Sequence, residues 1–194
     1  MKEWKEKRQT MRHYDNQAAI YNMQYLEEQT AKIKDVLKRM NVNPKEVVLD
    51  LGCGTGFLFQ HLTEKVEFIV GLDLSQKALQ EAKKRTKNIS NIALVQADAD
   101  NTPFQKHIFD TVFAVTVLQN MPDPTKTITE IKRISKPQVK IAVTGLKKKF
   151  TTEDLFTLLE SSQLKVEILN SNEQLKGHVT ICKLQLPFNR EEKQ

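Results

Sequence analysis

The chain is expected to be an α/β protein with a doubly wound, mostly parallel sheet and helices on both faces. Two observations carry that expectation. Between residues 47 and 146, apolar runs rich in Val, Ile and Phe alternate with helical patterns, as parallel strands joined by crossover helices require. The first run then breaks into glycines at alternate positions, Gly52, Gly54 and Gly56. A turn of that kind lets a ligand lie against bare backbone at the carboxyl end of a strand.

The elements follow in order. Leu26, Thr30, Ile33, Leu37 and Met40 recur at steps of four, three, four and three, which places them on one face of a helix that Asn41 to Pro44 ends. Val47 to Leu51 is the first strand, and a helix is expected from about Gly56 to Glu64. Val66 to Leu74 is the second strand, followed by a helix over Ser75 to Lys87 whose last turns carry Lys83, Lys84, Arg85 and Lys87, where cations complement the dipole. Ile92 to Ala97 and Phe109 to Val115 are the third and fourth strands. Ile128, Ile131 and Ile134 give the inner side of the next helix, and Ile141 to Leu146 is the fifth strand. A capped helix, Thr152 to Ser162, and strands at Lys165 to Leu169 and His178 to Leu184 complete the pattern.

The glycine turn limits the ligand. A dinucleotide fingerprint needs a small residue where Phe57 stands, and Asp50 would put a carboxylate near a pyrophosphate; a carboxylate suits a cation instead. Asp73 ends the second strand 21 residues beyond Gly52, the offset at which ribose-binding folds place an acid for two hydroxyls. Asp73 as a mere helix cap is the weaker reading, because Ser75 is itself a good cap.

Asp50-Leu51-Gly52-Cys53-Gly54-Thr55-Gly56 resembles motif I of the class I S-adenosylmethionine-dependent methyltransferases. Asp98-Ala99-Asp100-Asn101-Thr102-Pro103-Phe104 resembles the third motif of that family. The resemblance implies a seven-stranded sheet with an antiparallel last strand, and S-adenosyl-L-methionine as cofactor. It implies that Asp98 accepts the adenine amino group while the Ala99 N–H meets the ring edge, although Asp98 and Asp100 are not distinguished by sequence. It also adds Tyr21, Cys53, Leu74 and Thr116 to the cofactor-binding set. Residues 11 to 22, with Tyr14 and Tyr21 seven apart, are similar to a family segment that folds over the methionine end of the cofactor. Packing of the two tyrosines on the core is the alternative. The chain departs from the family pattern at Gln119 and Asn120, where histidines are frequent, and at Pro137-Gln138-Val139, which replaces Pro-Gly-Gly and calls for another turn geometry. The expected organisation is a helical lid over residues 1–45, a core over 46–188 and a polar tail over 189–194, in a single domain overall.

Lys plus Arg number 30 and Asp plus Glu 24, a net charge of +6 that raises encounter with anionic partners. The two cysteines, Cys53 and Cys182, form neither a metal-ligand spacing nor a disulfide framework, so no metal is expected and a reducing compartment is implied. With no long apolar run, a soluble cytoplasmic protein without a membrane role is expected. Lys147, Lys148 and Lys149 follow the fifth strand and, with Lys2, Lys5, Lys7, Arg8 and Arg12, form a candidate basic rim for phosphates.

Methyl transfer needs alignment more than a base. No catalytic residue is assigned; His13, Tyr14 and Asn120 are candidates, with His107 and His178 behind them. No Asn-Pro-Pro-Tyr or Asp-Pro-Pro-Tyr motif follows the fourth strand, and no cysteine follows the fourth or fifth strand to attack a pyrimidine. The expected function is methyl transfer, with RNA slightly ahead of a small molecule as acceptor. A nicotinamide-dependent oxidoreductase and a catalytically silent methyltransferase-like subunit are the other readings. An activating protein subunit and a monomer or small homo-oligomer complete the expected partners.

Overall fold

A computed structural model describes residues 2–185, except the side chains of residues 19–24. The polar tail expected over 189–194 lies outside the described residues. Seven strands form one sheet in the order β3-β2-β1-β4-β5-β7-β6. They are β1 Val47–Leu51, β2 Phe68–Asp73, β3 Ile92–Gln96, β4 Phe109–Val115, β5 Ser135–Leu146, β6 Leu164–Asn170 and β7 Gly177–Leu184. The pairs from β3 through β5 are parallel, whereas β7 runs antiparallel between β5 and β6. The mostly parallel sheet with an antiparallel last strand is therefore present.

Alternate residues of the central strands face opposite layers, as the two-residue period of a strand dictates. Leu49, Val112, Ile141 and Val143 pack with Ile128, Ile131 and Ile134 of α4 (Pro124–Ile134) and Leu155 and Leu159 of α5 (Thr152–Ser161). Val48, Ile69, Phe113, Ala142, Val179 and Ile181 pack instead with Phe59 of α2 (Phe59–Leu62), Ala82 of α3 (Gln76–Arg85), Ile33 and Val36 of α1 (Lys2–Arg39) and Met40 just after it. Helix starts follow capping chemistry. Ser75 Oγ accepts from the Ala78 N–H, Asp123 caps α4 ahead of Pro124, and Thr151 and Asp154 form a capping box.

Three expectations change. The helix expected over Gly56 to Glu64 is only the single turn Phe59–Leu62, because the positive φ of Gly56 precedes a run of turns. The turn expected at Pro137-Gln138-Val139 is a bulge inside β5, where the register slips between Phe109 and Thr111 of β4. The expected inner face of the first helix holds at Ile33, Leu37 and Met40 but not at Leu26, which is exposed, and Gln29, Lys32 and Val36 are buried beside it.

Candidate active site

The cleft opens where β1, β2, β3 and β4 end, and α1 roofs it. Gly52 and Gly54 line its floor, and Leu72, Asp73, Leu74 and Ser75 form the side contributed by β2. Ala97, Asp98 and Ala99 close one end; Val115, Thr116, Val117, Asn120 and Met121 form the other. Lys7, Thr10, Met11, Tyr14 and Ala18 of α1 supply the roof. The cleft encloses about 900 Å³ of non-atom space, part of it open solvent.

The three glycines have different roles. All have positive φ, at 71°, 54° and 79°. A Cβ at Gly54 would meet nothing within 4 Å, so this position leaves room for a ligand on the cleft floor. A Cβ at Gly56 would lie 2.6 Å from the Phe59 ring, and one at Gly52 would lie 2.6 Å from Val117 Cγ2. Gly56 therefore serves packing and does not line the cleft, which corrects its place among the ligand-contacting residues. Phe57 is buried, with the Arg85 guanidinium 4.8 Å from its ring centroid.

Asp73 is fixed from two sides. The Gly54 N–H donates to Oδ2 and the Ser75 N–H to Oδ1, each at 2.8 Å. Burial raises its pKa against the pull of those backbone donors. Asp50 sits deeper, 3% exposed; burial, then the charge of Asp73, push its carboxyl up to about 8. Asp50 and Cys53 line a smaller adjoining cavity with Gln29, Ile33 and Leu58. Burial likewise raises the Cys53 thiol, so it is inert.

Asp98 and Asp100 are separated by the fold. Asp98 lines the cleft, while Asp100 turns away from it and accepts from Thr127 Oγ1. Lys7 reaches both. Its Nζ donates to the two oxygens of Asp98 at 2.8 and 2.7 Å and also to Asp100 Oδ2. Burial works against this ammonium, but the two aspartates outweigh it and its pKa is raised.

Thr116 has φ 65°, a strained value for a β-branched residue. Hydrogen bonds hold it there: its N–H donates to Thr144 Oγ1 at 2.8 Å, and its carbonyl accepts from the side chains of Gln119 and Asn120. Lys32 Nζ donates to its hydroxyl at 3.2 Å. Lys32 is 1% exposed and its pKa is lowered by burial, which the nearby Glu28 only partly offsets. Sequence reasoning missed Lys32, because a lysine among charged neighbours on a long helix carries no sign of burial.

The catalytic candidates divide. Asn120 Nδ2 donates to Tyr14 Oη at 3.0 Å, joining the roof to the loop after β4. Burial raises the Tyr14 pKa, so it is a poor base. His13 is exposed on α1, edge-on to the Tyr14 ring at 5.6 Å, and does not line the cleft. His107 bonds the Ser135 carbonyl at the amino ends of the strands, and buried His178 bonds Ser171 and the Phe150 carbonyl. None of the histidines among these candidates faces the cleft. The Tyr21 side chain lies outside the described residues.

Two parts of the expected basic rim, Lys7 and the turn after β5, lie apart. Lys147, Lys148 and Lys149 make a turn after β5, with Lys147 Nζ on the Asn172 carbonyl, and none of them lines the cleft. Lys7 sits at the end of β3, four strand spacings from β5, or about 19 Å.

The profile of a methyltransferase domain family matches residues 42–191. Demethylmenaquinone methyltransferase of Staphylococcus saprophyticus is 38% identical over 107 residues, covering 54% of this chain and 46% of that protein. The chain thus spans about half the length of the curated relatives it matches. A methyltransferase from Aquifex aeolicus, described as dependent on S-adenosylmethionine, superposes with a TM-score of 0.71 at 19% identity, covering 77% of this chain and 88% of that one. A Haloferax volcanii protein, described as a methyltransferase in complex with its Trm112 activator, gives a TM-score of 0.80 at 18% identity, covering 89% and 98%. At those identities the superpositions establish the fold.

Proposed function

The chain belongs to the class I S-adenosylmethionine-dependent methyltransferase family, and on that premise we propose that it methylates a small apolar acceptor of the quinol type rather than RNA. The wall beyond Gly52 carries the proposal. Met11, Tyr14, Ala18, Val115, Val117 and Met121 line it, and among the described residues the only lining cation is Lys7, held by two aspartates. A phosphate backbone needs unengaged cations, whereas an apolar ring needs a dry wall of this kind. The similarity to a demethylmenaquinone methyltransferase supports the same class of acceptor.

S-adenosylmethionine, when bound, supplies a methyl group on a positively charged sulfur. In this reading Asp73 accepts the ribose hydroxyls, Asp98 and the Ala99 N–H hold adenine, and the backbone at Gly52 and Gly54 carries the methionine chain on the other side of the ribose. Leu74 covers the nucleoside. Asp50 lies at the adjoining cavity, where the positive charge of a bound cofactor would favour its ionised form against the effect of burial. Thr116, pinned in its strained conformation, and Asn120 with Tyr14 set where the acceptor approaches. Alignment and exclusion of water by the α1 roof are the protein's contribution, a kind worth on the order of 7 to 11 kcal/mol of barrier.

Labelled S-adenosylmethionine incubated with the protein and either reduced demethylmenaquinone or total RNA tests the acceptor. Label in the lipid extract is the expected result. Label in RNA, lost when Lys147, Lys148 and Lys149 are replaced by alanine, would restore the RNA reading.

A further inference from the structure

We propose that Lys7 gates the nucleoside end of the cleft, holding Asp98 in competition with the adenine amino group, so that cofactor entry requires Lys7 to release Asp98 and keep Asp100 alone. The proposal rests on the reading of Asp98 as the adenine partner. Its first support is occupancy. Lys7 Nζ contacts both Asp98 oxygens, and the Asp100 N–H donates to Oδ1 at 3.1 Å. These three contacts fill three of the carboxylate's about four acceptor positions, so a donor from the cleft competes with the Lys7 ammonium for the same charge.

The second support is that Lys7 has an alternative partner. The Asp100 side chain is 9% exposed against 21% for Asp98, and it is tied to Thr127 of α4. An ammonium that gives up Asp98 therefore stays paired, avoiding the cost of a buried lone charge.

The third support is how α1 is attached. Among the described residues, the last turns contribute Ile33 and Val36 to the buried core, with Met40 just after the helix and Leu37 packed against them. Over the cleft, where Ala18 is also buried, its described attachments include four polar ones: Glu3 with Lys126, Lys7 with Asp98 and Asp100, Tyr14 with Asn120, and Asp15 with Ser75. Among the described residues, the members of the buried core clusters lie at the carboxyl end of the helix and the ion pairs to distant partners at its amino end. Ion pairs weaken with salt while apolar contacts do not, so the two halves respond differently to ionic strength.

The single tryptophan, Trp4, lies one turn before Lys7 and is exposed, which makes its fluorescence a reporter of this half. The experiment is stopped-flow binding of S-adenosylhomocysteine to wild type, Lys7→Met and Lys7→Arg at low and high KCl. Lys7→Met should associate roughly five-fold faster at low salt, the loss of one partly screened ion pair. Wild type and Lys7→Arg should accelerate with salt, and Lys7→Met should not. Equal rates and equal salt dependence in wild type and Lys7→Met, or slower association of Lys7→Met, would overturn the gate. Hydrogen exchange on wild type gives a readout independent of any variant: residues 3–14 should exchange faster at high salt while residues 32–39 do not, and a salt-indifferent segment 3–14 overturns the gate equally. Absence of calorimetric binding to wild type would refute the cofactor reading itself, whereas binding indifferent to Lys7 refutes the gate alone.

Discussion

Asp50→Asn should reverse part of the protein's pH dependence of stability. Asp50 is buried on β1, and burial with the nearby charge of Asp73 raises its pKa from 3.8 to about 8. In the unfolded chain the same carboxyl ionises near its ordinary value. Between those two values the folded state holds a proton that the unfolded state has lost, so stability falls as pH rises and the loss is complete above about pH 8. Each pH unit inside the window costs about 1.4 kcal/mol, so the change from pH 5 to pH 8 is on the order of 3 kcal/mol from this one group. Asparagine has nearly the same shape and does not ionise. Urea unfolding of both proteins at pH 5, 6.5 and 8 should give similar stabilities at pH 5 and a variant more stable than wild type at pH 8. Parallel pH dependences would mean that Asp50 ionises as an ordinary carboxylate, and the account of its burial would be wrong.

The glycine turn provides a paired test. Gly56→Ala adds a Cβ 2.6 Å from the Phe59 ring at φ 79° and should cost about 2 kcal/mol or more in thermal or urea unfolding. Gly54→Ala meets no atom and should cost only about 1 kcal/mol of stability, yet calorimetry should show a larger loss of S-adenosylhomocysteine affinity than Gly56→Ala. Asp73→Ala should weaken that affinity by about 1 to 3 kcal/mol, and an unchanged dissociation constant would remove Asp73 from the ribose site. Tyr14→Phe removes the bond to Asn120 and should cost about 1 kcal/mol of stability; a turnover number within about three-fold of wild type is expected, and a collapse of turnover would make the phenol a catalytic group.

Most of the site floor was legible in the chain because it is local. The turn after β1, the acid at the tip of β2 and the acidic loop after β3 are each set by a few consecutive residues at the carboxyl ends of strands. Gly52, Gly54, Asp73, Leu74, Asp98, Ala99 and Thr116 all line the cleft. Gly56 was misplaced because a glycine needed for packing and one needed for ligand room look the same in sequence. The separation of Asp98 from Asp100 was also hidden, since it depends on Thr127 of α4 and on Lys7.

The roof was the least legible part. Lys7 and Lys32 read as ordinary charges on a helix whose pattern is mostly polar, yet both are buried against partners 84 to 93 residues away in sequence. The basic rim also rested on adjacency at one sheet edge, whereas strand order puts Lys7 and the turn after β5 at separate positions along it.

Periodicity and turn chemistry act over a few residues, so the chain alone determined its alternating strands and helices and the glycine turn at the end of β1. Which charges became buried, which aspartate faced the cleft and how α1 closed over it were decided only when distant segments met. Coulombic and desolvation energies depend on distance through space and not along the chain.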